Sequence, residues 1–226
     1  MENKYLILSV KNDYVLNTAL LILMKNLENE NKAYDYVQIN TKFKINLFIK
    51  QLFLLKFSEL IDISLNCIKK KYEIPKPKDF INNRLDFDKI IKDYKNIIVL
   101  TSPYIFKKNQ IIGKNIVNIH CGLLPNYRGM MPVFWSLFEG NYDIGYTIHQ
   151  IDEEIDKGRI IFQKKFTFTS NYRYTDILKK LYTSGAANIF NNSSGFSDVK
   201  YALDTYYKKP SLIELLKFKI GFQKRI

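Results

Sequence analysis

The sequence is poor in the residues that announce metal or disulfide chemistry, with two cysteines, two histidines and one tryptophan in 226 residues. Cys67 and Cys121 stand at no metal-ligand spacing, and a chain of this length needs no disulfide framework. A reducing cytoplasm is therefore the expected setting, and no metal is expected. No stretch approaches 18 uninterrupted apolar residues; even Leu47–Phe57 is broken by Lys50 and Lys56, which excludes a transmembrane helix. The apolar run Tyr5–Val10 is followed at once by charge and does not read as a signal peptide. Glycine is scarce as well, at nine residues, and none stands in the turn Ser9-Val10-Lys11-Asn12-Asp13. A glycine-rich phosphate fingerprint is thus missing, and NAD is not expected.

Hydrophobic residues make up 46% of the chain and aromatic residues 15%, enough to bury a sizeable core in one large domain. The net charge is +13 with a pI near 9.5. The lysines are scattered and form no runs of five or six, so most read as solvated faces. The net field still favours a phosphate-bearing partner. A basic α/β module binding nucleic acid is the competing reading outside enzymology; it predicts salt-dependent RNA or DNA binding.

Along the chain, Tyr5–Val10 reads as a buried strand and Asn12 or Asp13 as the cap of a helix running to Leu27. Tyr34–Ile39 reads as a second strand. Such a β-α-β opening predicts parallel strands and a right-handed crossover. Lys42–Cys67 reads as a long amphipathic helix or a broken pair packed on the sheet; a membrane-surface or partner helix is the alternative, with Lys44, Lys50 and Lys56 flanking an apolar stripe. Asp86–Tyr94 predicts a helix, Asn96–Thr101 and Ile116–His120 predict strands, and Met131–Glu139 predicts a short helix. Tyr146–Ile151 and Arg159–Phe168 read as strands around an acidic turn, Thr175–Phe190 as a helix and 191–197 as a loop. Ser211 and Glu214 form a capping box for a last helix. The fold class is α/β: a Rossmann-like, mostly parallel sheet with flanking helices over residues 1–168. A short helical appendage follows over 169–226.

One segment differs in composition from the rest. Asn118–Gly158 holds both histidines, the tryptophan and five of the nine glycines. Asn118 and His120 stand two apart at a strand end, so both side chains face one volume. An amide donor beside an imidazole suits acyl chemistry: one bonds a developing oxyanion, the other takes a proton. A carboxylate is needed to orient the imidazole. Asp152, Glu153, Glu154 and Asp156 are all candidates, and spacing alone does not choose among them. His149 reads as a residue of the sheet face, and Cys121 as pointing away from His120.

The string N-I-H-C-G-L-L-P-N-Y-R-G-M-M-P-V-F-W-S-L-F-E-G, followed by G-Y-T-I-H-Q-I-D-E-E-I-D-K-G, strongly resembles the formyltransferases that use 10-formyltetrahydrofolate. The likeness is tight from Ile98 to Phe166 and loose over the β-α-β opening. It implies a formyltransferase fold with Asn118, His120 and Asp156 as catalytic residues. It implies that the folate lies among Leu100, Thr101, Ser102 and Pro103, the Gly122-Leu123-Leu124-Pro125 segment, and Asp152 and Ile155, largely on backbone groups. One departure is Gly122, where the family usually has serine. Within that family, Ser102-Pro103-Tyr104-Ile105, Tyr127–Trp135 and Tyr206–Pro210 resemble the sugar N-formyltransferases. That likeness implies a nucleotide-sugar substrate, most like dTDP-4-amino-4,6-dideoxyglucose, used for surface O-antigen polysaccharide. It also implies a cytoplasmic homodimer joined through the region after residue 165. Tyr104, Arg128, Tyr207 and Lys208, with Lys209, are the expected substrate contacts. Methionyl-tRNA and glycinamide ribonucleotide are the alternative acceptors. Against the first, only about 60 residues follow the core, too few for the β-barrel of the tRNA enzyme. Nucleic acid and membrane partners are not expected.

Overall fold

The strand β1 (Tyr5–Val10) sends alternate side chains into two apolar layers: Ile7 into one, Leu6 and Leu8 into the other. This is the period-two pattern of a strand covered on both faces. The computed structural model describes residues 4–11, 13, 15–41, 59, 74–169, 172–191 and 206–223. Around β1 lie β2 (Tyr34–Ile39), β3 (Asp79–Ile81), β4 (Asn96–Val99) and β5 (Asn115–His120), all parallel. The strands β7 (Asp143–Gln150) and β8 (Ile160–Thr167) extend the sheet antiparallel beyond β5, in the order β3-β2-β1-β4-β5-β7-β8. A separate parallel pair joins β6 (Arg128–Gly129) to β9 (Tyr206–Tyr207).

The layer containing Ile7 is built from α1 (Asn17–Asn29), α4 (Pro132–Phe138), α5 (Tyr174–Ala187) and α6 (Leu212–Gln223). The opposite layer is capped by α2 (Arg84–Ile90), with a 3-10 turn at Ile91–Asp93. The short α3 (Lys108–Ile111) leads into β5. The chain goes one way from β1 to β2 and the other way from β4 to β5, so the order reverses between β1 and β4. Ligands of open α/β sheets collect outside the strands' carboxyl ends at such a reversal. Here Val10 N donates to Thr101 Oγ1 at 3.1 Å and ties the two strand ends together.

Several expected boundaries shift for local reasons. Helix α1 begins at Asn17, because the Asp13 carboxylate is taken by Val15 N (3.2 Å) one turn earlier. Helix α2 begins at Arg84, two residues before its expected start. Asn83 supplies the cap, accepting from Leu85 N at 2.8 Å and Asp86 N at 3.0 Å. The capping box at Ser211 and Glu214 is present: Ser211 N donates to Glu214 Oε2 at 2.7 Å, and Glu214 N to Ser211 Oγ at 3.3 Å. Asn12, the Lys42–Cys67 helix except Glu59, and the loop at 192–197 lie outside the described residues. The segment expected as an appendage shares the main core, to which α5 gives Ile177 and Leu181 and α6 gives Leu215 and Phe218.

Helix α5 carries no side-chain cap at Arg173. Its first turn is instead met by Glu59, 1% exposed, which accepts from Thr175 N at 3.0 Å and Thr175 Oγ1 at 2.6 Å. A carboxylate at a helix N-terminus is favoured by the helix dipole. Thr175→Val keeps the shape and removes one donor from this buried carboxylate. It is expected to destabilise the fold by about 1–3 kcal/mol, read as a lower urea midpoint at unchanged m-value. A midpoint equal to wild type would show that the hydroxyl contributes nothing.

Candidate active site

Strands β5 and β7 pair antiparallel with Asn118 opposite His149 and His120 opposite Thr147. Residues directly opposite on one face approach closely, so the pairing gathers an amide, two imidazoles and a hydroxyl. Asn118 Nδ2 lies 3.2 Å from His149 Nε2. His149 Nδ1 lies 2.8 Å from the Gln150 carbonyl, which can only accept, so Nδ1 carries the proton and Nε2 accepts from Asn118. His149 is 1% exposed. Burial, which disfavours the charged ring, pushes its pKa down to about 4, while the nearby Asp156 carboxylate opposes that shift. His149 lies on the sheet face, as expected, and there it is the partner that holds the Asn118 amide.

The second imidazole uses the opposite tautomer. His120 Nε2 donates to the Tyr127 carbonyl at 2.9 Å, which leaves Nδ1 as the bare nitrogen, 3.7 Å from Asp156 Oδ2. Asp156 Oδ2 also accepts from Gly129 N at 2.8 Å, and Oδ1 lies 3.6 Å from His149 Nε2. The other three acids turn elsewhere. Asp152 accepts from the neighbouring Glu153 N, Glu153 pairs with Lys108 at 2.7 Å, and Glu154 pairs with Lys157. Geometry therefore selects Asp156, a choice that spacing left open. Cys121 faces the other layer, and burial pushes its thiol pKa up, away from the thiolate.

The loops that build this site are strained and tightly fitted. Among the described residues, four non-glycine residues have positive φ, and three are here: Tyr127 (55°), Met131 (59°) and Asp156 (54°). Each such residue costs on the order of 1–3 kcal/mol and persists only where its surroundings hold it. The Leu124–Pro125 peptide is cis. Thr147 Oγ1 donates to the Gly122 carbonyl at 2.6 Å and accepts from Leu124 N at 3.1 Å. Gln163 Nε2 donates to Leu124 O at 2.9 Å. A Cβ on Gly122 would stand 2.8 Å from Pro132 Cβ and 2.9 Å from His120 Nε2, so this backbone passes the imidazole too closely for any side chain.

The remaining expected site residues take varied positions. Leu100 and Leu124 are buried, leaving only their backbone toward a ligand. Thr101, Leu123, Pro125 and Ile155 are half-buried, and Pro103 and Asp152 are exposed. Ser102 Oγ is used by the backbone of Tyr104, itself half-buried. Arg128, expected at a pyrophosphate, is 4% exposed, and its guanidinium donates to the Ile155 carbonyl at 2.8 and 3.1 Å. It braces the acidic turn from inside, where a contact to the substrate pyrophosphate was expected. Tyr207 is stacked between Tyr127 and Trp135, while the side chain of Lys208 is exposed. Thr147, Gln163 and Glu139 escaped the sequence reading, since their contacts cross between strands or loops and leave no local pattern.

An amide anchored by a neutral imidazole, a second imidazole with one bare nitrogen, and a carboxylate facing that nitrogen define an acyl-transfer type of site on an α/β sheet. Residues 99–191 match the formyl transferase family. Methionyl-tRNA formyltransferase of Kosmotoga olearia is 31% identical over 133 residues, covering 56% of this chain and 42% of that protein. The solved structure of a sugar N-formyltransferase from a Shewanella species superposes with a TM-score of 0.58 at 20% identity, covering 95% of this chain and 87% of that one. The phosphoribosylglycinamide formyltransferase of Anaplasma phagocytophilum gives a TM-score of 0.55 at 18% identity, covering 84% and 83%. The chain spans about half or less of the length of the first curated relatives it matches. The likeness to formyltransferases thus rests on the 99–191 segment, which holds Asn118, His120 and Asp156. The match favours an enzyme over a nucleic-acid-binding module.

The tautomer assignment predicts a titration. His149 is neutral when folded down to a pKa of about 4, whereas the unfolded chain protonates it near 6.5. Its contribution to stability is therefore full above pH 6.5 and is lost as pH falls from 6.5 through 4. With only two histidines, ring NMR signals assign directly by comparison with His149→Gln. The expected result is one imidazole still neutral at pH 5. Two rings that both titrate near 6.5 would contradict the anchored neutral His149.

Proposed function

We propose that the chain moves a formyl group from 10-formyltetrahydrofolate to the primary amine of a nucleotide-linked amino sugar. The best candidate acceptor is dTDP-4-amino-4,6-dideoxyglucose, in cytoplasmic assembly of an O-antigen-type surface polysaccharide. The observation that carries this reading is the pairing of a bare His120 Nδ1 with Asp156, beside the anchored Asn118 amide, inside a formyl transferase segment. The sugar acceptor is supported by the likeness to the Shewanella sugar N-formyltransferase along 95% of this chain. The exposed side chains of Leu212, Ile213, Leu216 and Ile220 on α6 support the homodimer that belongs to this reading.

The residues present suit a flat heteroaromatic donor. Half-buried Leu123 and Ile155 offer apolar flanks, and the exposed Asp152 offers an acceptor for ring N–H groups. When bound, 10-formyltetrahydrofolate supplies an electrophilic formyl carbon. His120 Nδ1 takes the proton released as the acceptor amine bonds to that carbon, and Asp156 stabilises the imidazolium. Asn118 Nδ2 has two hydrogens, one given to His149; the other is available to the oxygen that gains negative charge. His120 then returns its proton from Nδ1 to the leaving nitrogen, so that one C–N bond forms, one breaks, and the proton is conserved.

A second reading keeps methionyl-tRNA as the acceptor, since the curated relatives at 28–37% identity carry that name. The test is formyl transfer from 10-formyltetrahydrofolate to dTDP-, UDP- and GDP-linked amino sugars, glycinamide ribonucleotide and methionyl-tRNA. Turnover of a dTDP-amino sugar is expected, and Asn118→Ala and His120→Ala should each lower kcat by about 100-fold or more. Formylation of methionyl-tRNA alone would replace the sugar reading. Near-normal turnover in both variants would remove the mechanism.

A further inference from the structure

We propose that Tyr207 is a positioning residue. Strand β9 clasps the Tyr127–Met131 loop and thereby fixes which nitrogen of His120 is bare and where Asp156 stands. The inference rests on the reading of His120 as the proton acceptor and extends it to a part of the chain about 80 residues away in sequence.

The loop acts on the site through its backbone. The Tyr127 carbonyl accepts from His120 Nε2, and Gly129 N donates to Asp156 Oδ2. Both contacts come from a segment with unfavourable dihedral angles at two non-glycine residues, with φ of 55° at Tyr127 and 59° at Met131. Such a conformation needs support from outside. Its support is β9. Arg128 pairs with Tyr206 and Gly129 with Tyr207, and Met130 N donates to the Tyr207 carbonyl at 2.9 Å. A Cβ on Gly129 would stand 2.3 Å from that carbonyl oxygen, so glycine is what admits the strand.

A two-residue pairing is weak alone, and side chains complete it. The Tyr207 ring stacks on Tyr127 with centroids 5.6 Å apart and planes 19° apart, and its other neighbour is Trp135 at 5.1 Å. Trp135 Nε1 donates to the Lys208 carbonyl at 3.0 Å. The two tyrosine hydroxyls converge on one carboxylate: Tyr127 on Glu139 Oε2 at 2.9 Å and Tyr207 on Oε1 at 2.6 Å. Trp135 and Glu139 stand four residues apart on and just after α4, on one side of the helix. Tyr207, expected from sequence to touch substrate, is thus turned inward against the loop that holds both catalytic groups.

The test combines kinetics with ring NMR of the two histidines. Tyr207→Ala is expected to lower kcat by about 100-fold, as a small displacement of catalytic groups does, with KM for both substrates nearly unchanged. It should also change His120 from a single Nε2–H tautomer to a mixture. Tyr207→Phe, which keeps the stack, should restore most of the kcat. Should Tyr207→Ala not fold, Glu139→Gln at an exposed position carries the same test, with a smaller kcat loss and the same change in His120. A raised KM with unchanged kcat and an unchanged His120 tautomer would overturn the clasp and make Tyr207 a substrate contact. A wild-type protein that formylates no acceptor, while Tyr207→Ala still alters the His120 tautomer, would refute the proposed function and leave the clasp standing.

Discussion

The carboxylate of Asp156 accepts one backbone N–H, from Gly129, and otherwise faces two imidazoles that each keep a bare nitrogen toward it. A charge in a half-buried place is costly unless something nearby compensates it. One amide hydrogen does so only in part, and a proton arriving at His120 Nδ1 completes the compensation. At 3.7 Å and an effective dielectric near 20, the attraction between the imidazolium and the carboxylate is on the order of 4 kcal/mol. The left-handed turn at Asp156, the Arg128 brace on Ile155 and the strained Tyr127–Met131 loop all serve to hold this one carboxylate in place.

Two backbone carbonyls divide the work between the histidines. Gln150 takes the Nδ1 proton of His149, and Tyr127 takes the Nε2 proton of His120, so each ring presents the other nitrogen. Burial keeps His149 uncharged, so that it accepts from Asn118 and does not compete for protons. Were both rings to bind protons, the Asn118 amide would lose its acceptor and turn away. The site thus depends on two chemically identical side chains being held in different tautomers, and the antiparallel register of β5 and β7 brings them together by placing His149 opposite the Asn118 amide.

What the sequence made legible follows from periodicity. The two-residue spacing of Asn118 and His120 at a strand end put them on one face, and apolar runs identified β1 and β4 as buried strands. Features set by pairing across long separations did not show. His149 acquires its role from register with Asn118, 31 positions away, and β6 and β9 are too short for any periodicity. The three residues of β3 lie on the sheet edge with two of three side chains exposed, so they carry no buried pattern. Arg128 and Tyr207 were expected to contact substrate because a guanidinium and a tyrosine ring suit a nucleotide; here the Ile155 carbonyl and the exposed Glu139 carboxylate accept from them. The choice of Asp156 among four neighbouring acids needed either a family likeness or a backbone that turns only one of them inward.

Gly122 joins the two levels of argument. Against the formyltransferase pattern it stands out as a missing serine, and as sequence it reads as a lost contact to the folate. In the fold, a Cβ there would press on Pro132 and on the same His120 nitrogen that donates to the Tyr127 carbonyl. The glycine and the His120 tautomer are therefore coupled. With a side chain at 122 the imidazole would have to leave the Tyr127 carbonyl, and Nε2 would no longer be committed there. The departure from the family pattern is less a lost hydroxyl than a condition for packing the ring against the loop that β9 holds, which leaves Nδ1 as the bare nitrogen facing Asp156.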